Sequence, residues 1–218
     1  MSGMRTYGQN CGVARALDLL GERWTILIVR ELARGPKRFG DLAGALEGIG
    51  TNLLAARLKS LSRAGVIEPR LDPVPAYALT ERGEQLVPVL EDLALWGAGL
   101  AWPDTDGAAS RAAWAAMTMR ANMDRSERPA PDGLYEFDVE GERFWLRVNG
   151  RSTQLRDGPA PVEPDARMSA DRGSFLRVAT GRRRPGGRGV TVDGDGERLE
   201  GLLETFRLPA AVVERFPA

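Results

Sequence analysis

The sequence predicts an α+β chain built in two parts, and three observations carry that prediction. At 218 residues it exceeds the usual size of one domain, so two units of about 100 residues each are expected. The first half is dominated by apolar residues at helical spacing, interrupted by one short hairpin pattern. The second half changes to strict alternation, punctuated by Gly141, Asn149-Gly150 and Asp157-Gly158. A composition of 43% hydrophobic and 28% charged residues suits an ordinary globular chain.

The first ten residues are polar and are expected to fray. A helix from Val13 to Leu20 follows, with Gly21 placed to close it in the left-handed conformation. Glu22 to Arg34 reads as the most apolar helix of this half, turning Trp24, Leu27, Ile28 and Leu32 inward until Gly35-Pro36 stops it. Two short helices come next, joined by the turn Glu47-Gly48-Ile49-Gly50. Phe39, Leu42, Ala43 and Leu46 share a face of the first, and Leu54, Leu58 and Leu61 share a face of the second. Ile67 to Leu71 and Ala76 to Leu79 form a hairpin about Asp72-Pro73-Val74-Pro75. Thr80 then caps a helix running to Leu100, with a kink expected at Pro88.

The second short helix is the chemically informative one. Burying its leucine stripe leaves Thr51, Asn52, Ala55, Ala56, Arg57 and Lys59 outside, with no acid among them. Small residues allow close approach, amides and hydroxyls reach base edges, and cations meet phosphates. An ordinary helical hairpin would share the spacing. Lys37, Arg38, Arg57, Lys59, Arg63 and Arg70 nevertheless outnumber Asp41, Glu47 and Glu68 in this stretch, giving a local positive face in a chain of zero formal charge.

After a linker at Trp102 to Gly107, an Ala- and Met-rich helix is expected from Ala108 to Met123. Strands follow at Leu134 to Glu140, Glu142 to Asn149, Ser152 to Arg156, Ala166 to Ser169 and Val190 to Val192, with helices at Asp171 to Thr180 and Glu197 to Phe206. The order is that of a layered α+β domain. Arg182, Arg183, Arg184 and Arg188 form the densest positive run; such a run can meet DNA phosphates or the charged head of a ligand, and a solvated, mobile loop is its more common role.

Histidine is absent and Cys11 is the sole cysteine, so His-based triads, His-ligated zinc, Cys-rich metal clusters and internal disulfides are excluded. No metal or cofactor is expected, and no enzyme. Neither a membrane-spanning run nor a signal-peptide pattern is visible, which points to a cytoplasmic location and no membrane partner.

Residues 11 to 97 resemble the HxlR-type regulators, a branch of the MarR-like winged-helix proteins. The likeness is carried by CGVARALDLL at 11–20, Gly21 with Trp24-Thr25, Leu32 with Gly35-Pro36 and Arg38-Phe39, Leu54-x-x-Arg57-Leu58-x-x-Leu61, Gly65-x-Ile67, and Tyr77-x-Leu79-Thr80-x-x-Gly83. It implies a homodimeric regulator reading double-stranded DNA at a palindromic operator, one recognition helix per half-site. Two departures stand out: Gly50 occupies the recognition-helix cap position, leaving Thr51 as the candidate cap, and the wing is short, with Arg70 its only basic group. Cys11 coincides with a cysteine that family members use to sense oxidants or electrophiles. It is the redox-sensing candidate, and its competing role is that of a small apolar filler.

The second half resembles the sterol-carrier-type fold, on Asp171 to Gly181, Gly189 to Asp195 and the helix bearing Leu199, Leu202 and Leu203. That likeness implies an apolar tunnel and an apolar small-molecule effector, with Trp114, Met117, Phe137, Trp145, Phe175 and Phe206 as candidate liners; simple core packing is the competing role for each.

The fold expected is therefore an N-terminal winged helix-turn-helix DNA-binding and dimerisation domain at residues 1–103, then a sterol-carrier-like domain at 104–218. Expected DNA contacts are Thr51, Asn52, Ala55 and Ala56 for bases and Arg38, Arg57, Lys59 and Arg70 for phosphates. Repression is the expected output. The alternative is a lipid- or small-molecule-binding protein whose winged helix serves mainly to dimerise, a reading favoured by the short wing and the zero net charge.

Overall fold

The chain is described by a computed structural model over residues 6–71, 73–98, 100 and 111–209. It divides into two compact units, 1–90 and 91–218.

In the first unit, α1 (Gly12–Leu20) is closed by Gly21, but at φ −70, a right-handed conformation. The glycine is required for another reason: a Cβ there would stand 2.6 Å from the Leu17 carbonyl oxygen. The N-terminal segment is tied back to α1, with the Thr6 hydroxyl and the Tyr7 N–H both donating to the Asp18 carboxylate. Helix α2 (Thr25–Leu32) is shorter than its apolar pattern suggests, because Trp24 sits at φ 79 and cannot extend it backward. Then come α3 (Phe39–Ala45) and α4 (Thr51–Arg63), the latter ended by Gly65 at φ +68. Leu54, Leu58 and Leu61 of α4 are fully buried with Ile28, Leu32, Leu42 and Leu46, so the expected leucine stripe is the one that faces the core.

Strands β1 (Ile67–Arg70) and β2 (Ala76–Leu79) pair antiparallel, as their sequence pattern implies. Lys37 and Tyr77 add a third short rung, exchanging backbone hydrogen bonds of 2.9 and 2.8 Å that join the α2–α3 loop to the hairpin. Thr80 caps α5 (Glu81–Glu84) by accepting from the Gly83 N–H at 3.1 Å. The expected kink is instead a complete break. A new helix, α6 (Val87–Ala98), begins just before Pro88, which sits in its first turn. There its missing N–H costs nothing and its ring meets no preceding helical turn.

The second unit continues with α7 (Ala112–Met123), β3 (Gly133–Val139), β4 (Glu142–Asn149), β5 (Ser152–Asp157), β6 (Ala166–Ala170), α8 (Arg172–Ala179), β7 (Val190–Gly194) and α9 (Gly196–Leu203). The expected linker at Trp102 to Gly107 lies outside the described residues. The five strands form one mixed sheet in the order β5-β4-β3-β6-β7, with β3 and β6 parallel and the other neighbours antiparallel. Alternation sorts its two faces. Tyr135, Phe137, Phe144, Leu146 and Met168 are buried on one of them, against α7 and α8. Phe137 stacks on Phe144 at 5.0 Å between ring centroids, Phe206 lies 5.6 Å from Phe137, and Phe175 meets Phe144 edge-on at 6.0 Å.

The opposite face is polar, yet it is not simply solvated. Glu136 is 4% exposed, accepting from the Ala160 N–H at 2.6 Å and from Arg167 Nε at 2.7 Å, because the β5–β6 connection reaches it. Burial alone would push this carboxyl up, but these two donors outweigh it and hold the group below its ordinary range. Glu91 goes the other way. Burial pushes it up to about 7 despite its pairing with Arg120.

Candidate nucleic-acid interface

The site is built on α4. Because the buried stripe repeats every three to four residues, the opposite side is exposed along its length: Thr51, Asn52, Ala55, Ala56, Lys59 and Arg63 all face solvent. No carboxylate occurs on α4. The helix begins at Thr51 with Gly50 in the extended cap position, so Thr51 is its first residue and not its cap, leaving the hydroxyl available. The first backbone N–H groups of α4 also open toward solvent here, adding a partial positive charge.

Of the cations expected to meet phosphates, Arg38 caps α3 through its backbone, whose N–H donates to Asp41 at 3.0 Å, and its side chain is exposed. Arg38, Lys59 and Arg63 make no ion pair among the described residues. Arg63 continues the Thr51-Ala55-Lys59 row by one turn and could have been found by extending that spacing. Arg70, in the wing, pairs with the exposed Glu68 at 2.9 Å, an interaction that solvent makes weak.

Arg57 is placed differently. Its Nη2 donates to Glu22 at 2.7 Å and its Nε to the Arg23 carbonyl at 3.2 Å. Next to this anchor, Arg23 lies over the Trp24 ring at 5.1 Å, and the α3–α4 turn comes down at Gly48, where a Cβ would lie 3.8 Å from Trp24. Arg57 therefore fixes α4 to the α1–α2 turn. Sequence gave no sign of this pairing, since Glu22 is 35 positions away.

Cys11 stands apart, exposed at the N-cap of α1. The N–H groups of Ala14 and, less strongly, Val13 lower its thiol below the ordinary value. Of the six apolar candidates of the second unit, Phe137, Phe175 and Phe206 meet in one buried ring cluster through Phe144, Met117 is buried and Trp114 half-buried on α7, and Trp145 projects from the opposite sheet face, paired with Glu136. Among the described residues no cluster of His, Cys, Asp or Glu could hold a metal, and no helix is long and apolar enough to cross a membrane.

Comparison with known proteins gives the same region a family. The profile described as HxlR-like helix-turn-helix matches residues 19–104. The HTH-type transcriptional regulator sll1512 of Synechocystis sp. is 40% identical over 87 residues, 38% of this chain and 64% of that one. YvaP of Bacillus subtilis, also named an HTH-type transcriptional regulator, is 36% identical over 86 residues, 38% of this chain and 80% of its own. The chain belongs to the HxlR-like helix-turn-helix family. A further relative, the HTH-type transcriptional regulator YodB of Bacillus subtilis, is 38% identical over 85 residues, 37% of this chain and 76% of that protein. The present chain spans just under two thirds of the Synechocystis relative, and its own second unit extends well beyond the region matched to the HxlR-like family.

Proposed function

We propose that this chain is a cytoplasmic DNA-binding transcription regulator, acting as a homodimer on a palindromic operator and repressing from it. The observation that carries this reading is the α4 surface: exposed hydroxyl, amide, methyl and cationic groups, no acid, and a rigid leucine-backed helix beneath. In it Thr51, Asn52, Ala55 and Ala56 face base edges, while Arg38, Lys59, Arg63 and Arg70 neutralise phosphates and Arg57 positions the helix. Val89, Leu93, Trp96 and Leu100 support the dimer. Val89, Leu93 and Trp96 follow one another at helical spacing along α6, Leu100 comes after its end, and all four are 44 to 66% exposed, apolar surface that a second copy would cover.

The pair Asn52→Ala and Lys59→Ala tests the reading. Losing one bidentate base contact costs about 1–3 kcal/mol and losing a phosphate contact flattens the salt dependence. DNA selected from random sequence by the wild type should bind the double variant on the order of 100-fold more weakly, with the dimer mass unchanged by light scattering. Equal binding by both proteins would remove α4 from the interface.

The second unit supports regulation. Its order of helix, three-stranded meander, parallel fourth strand, helix, strand and helix is compatible with a sterol-carrier-like fold, and we assign it to binding an apolar effector among Trp114, Met117, Phe137, Phe175 and Phe206, with Trp145 the least favoured of the candidates. Cys11 supplies a second input, since an exposed thiol whose pKa is lowered by the Ala14 and Val13 N–H groups gives up its proton to react with oxidants more readily than an ordinary one. Mild peroxide should alter DNA binding of the wild type and leave a Cys11→Ser variant unaffected. An identical response from both would dismiss the thiol as a sensor.

A further inference from the structure

Between Asp171 and Asp193 the chain concentrates charge that the recognition helix does not use. Arg172, Arg177, Arg182, Arg183, Arg184 and Arg188 occur there with no Asp or Glu among them, in a protein whose formal charge is zero. The sequence reads as a solvated loop. The structure gives that loop a scaffold. Asp171 caps α8, accepting from the Ser174 N–H at 2.8 Å and from the Ser174 hydroxyl at 2.6 Å. Ser174 is buried, and Arg183 Nη1 donates to its oxygen at 3.3 Å and also to the Arg188 carbonyl. The Arg183 N–H donates to the Arg177 carbonyl at 3.0 Å, and that of Val190 to Gly187 at 2.9 Å. Where the loop returns, Gly189 stands at φ +79, and a Cβ there would meet the Ser174 hydroxyl at 2.6 Å and Asp171 at 2.9 Å. Only glycine permits so close a return.

One arginine of the run is therefore directed inward as a brace, and the others are displayed on a fixed support. Arg182, Arg184 and Arg188 are exposed, with exposed Arg177 on α8 beside them. Arg207 adds a further guanidinium, 3.7 Å from where a Cβ on Gly181 would lie. Arg177, Arg184, Arg188 and Arg207 make no ion pair among the described residues.

We propose that this arginine loop is a second, sequence-independent contact of the protein with the phosphate backbone of double-stranded DNA. The inference rests on the DNA-binding reading above. Guanidinium groups match phosphate oxygens bidentately, and each phosphate neutralised releases counterions. From Gly181 to Gly189 the loop contains only Gly, Arg and Pro and has no helix or strand to set an arginine into a groove against a guanine edge, so its guanidinium groups meet the backbone phosphates and add affinity without specificity. It likewise has no aromatic or large aliphatic residue to anchor a protein interface or insert into a bilayer.

The test compares the full-length wild type with an Arg184→Ser, Arg188→Ser variant on a random-sequence 30-base-pair duplex, by fluorescence anisotropy across a salt series. The slope of log affinity against log salt should fall in magnitude by about 2 per bound protomer, with binding about tenfold weaker near 0.1 M salt. The Arg184→Lys, Arg188→Lys variant should restore most of the slope, which a merely structural role would not predict. A Lys59→Ala, Arg63→Ala variant reports the α4 face separately. If it flattens the slope and the serine variant does not, the loop inference is overturned and the DNA-binding reading stands. If the wild type fails to bind the duplex, both fall. Unchanged duplex binding with lost binding to vesicles containing phosphatidylserine would make the partner a membrane and also overturn the proposal.

Discussion

Replacing Gly83 with alanine is expected to destabilise the first unit more than any other single methyl addition in it. Gly83 is buried in α5, and a Cβ there would stand 2.2 Å from the Val66 carbonyl oxygen and 3.1 Å from the Leu79 side chain. The first of these neighbours is backbone, and it cannot swing away: the Val66 carbonyl accepts from the Thr80 N–H at 3.0 Å, while the Thr80 hydroxyl holds the Gly83 N–H. Relief requires α5 to move off the hairpin, which also disturbs the strand carrying Tyr77 and its rung with Lys37. Overpacking against so fixed an atom costs about 3 kcal/mol, equivalent to roughly 12 °C or more in the melting of a unit this size. Gly44→Ala is the matched control. It lies in α3 with nothing within 4 Å of its Cβ, so the change should stabilise by about 0.5–1 kcal/mol through helix propensity. Calorimetry of the full-length variants checks both signs. A Gly83→Ala protein melting with the wild type would mean that α5 packs less tightly than its geometry requires.

Gly83 also shows what kind of information the sequence carried. It was one anchor of a family resemblance, but nothing local said why glycine stood there, because the reason is an oxygen 17 positions away. Gly21 is the converse: its position suggested a left-handed cap, whereas its φ of −70 is open to any residue and the Leu17 oxygen is what excludes a side chain. The leucine stripe of α4 was legible because burial imposes a period on a helix regardless of partner. The same rule made the exposed face of α4 legible as far as Lys59, and one further turn of it reaches Arg63. The bond of Arg57 to Glu22 was not legible, since one periodicity cannot distinguish a cation pointing to solvent from one bent onto a carboxylate 35 positions away. Glu136 alternated as an outward residue, and alternation was right about its face; the β5–β6 connection that buries it is a long-range event. Pro88 marked a break correctly in place and wrongly in degree.

In the second unit, Phe137→Ala is expected to cost about 3–5 kcal/mol, the usual range for emptying an aromatic site in a close-packed core. The ring is fully buried, stacked on Phe144 at 11° between planes and touching Phe206, and through Phe144 it is linked to Phe175 on α8. Removing it takes away both ring contacts and leaves a void bounded by two strands, which pairing holds in place and prevents from collapsing. The measurement is denaturant unfolding of the full-length protein followed by tryptophan fluorescence, Trp114 and Trp145 both belonging to this unit. A loss below about 1 kcal/mol would show that Phe137 already borders empty space, and an apolar effector could then enter without disturbing the fold. A loss in the expected range has the opposite consequence. Any effector reaching these rings would have to part Phe137 from Phe144 or Phe206, so its affinity would be reduced by what those contacts contribute. It would also be coupled to a rearrangement of α8, which places Phe175 against the same cluster. Binding there would then be tied to a change in shape, which a regulator needs and a passive carrier does not.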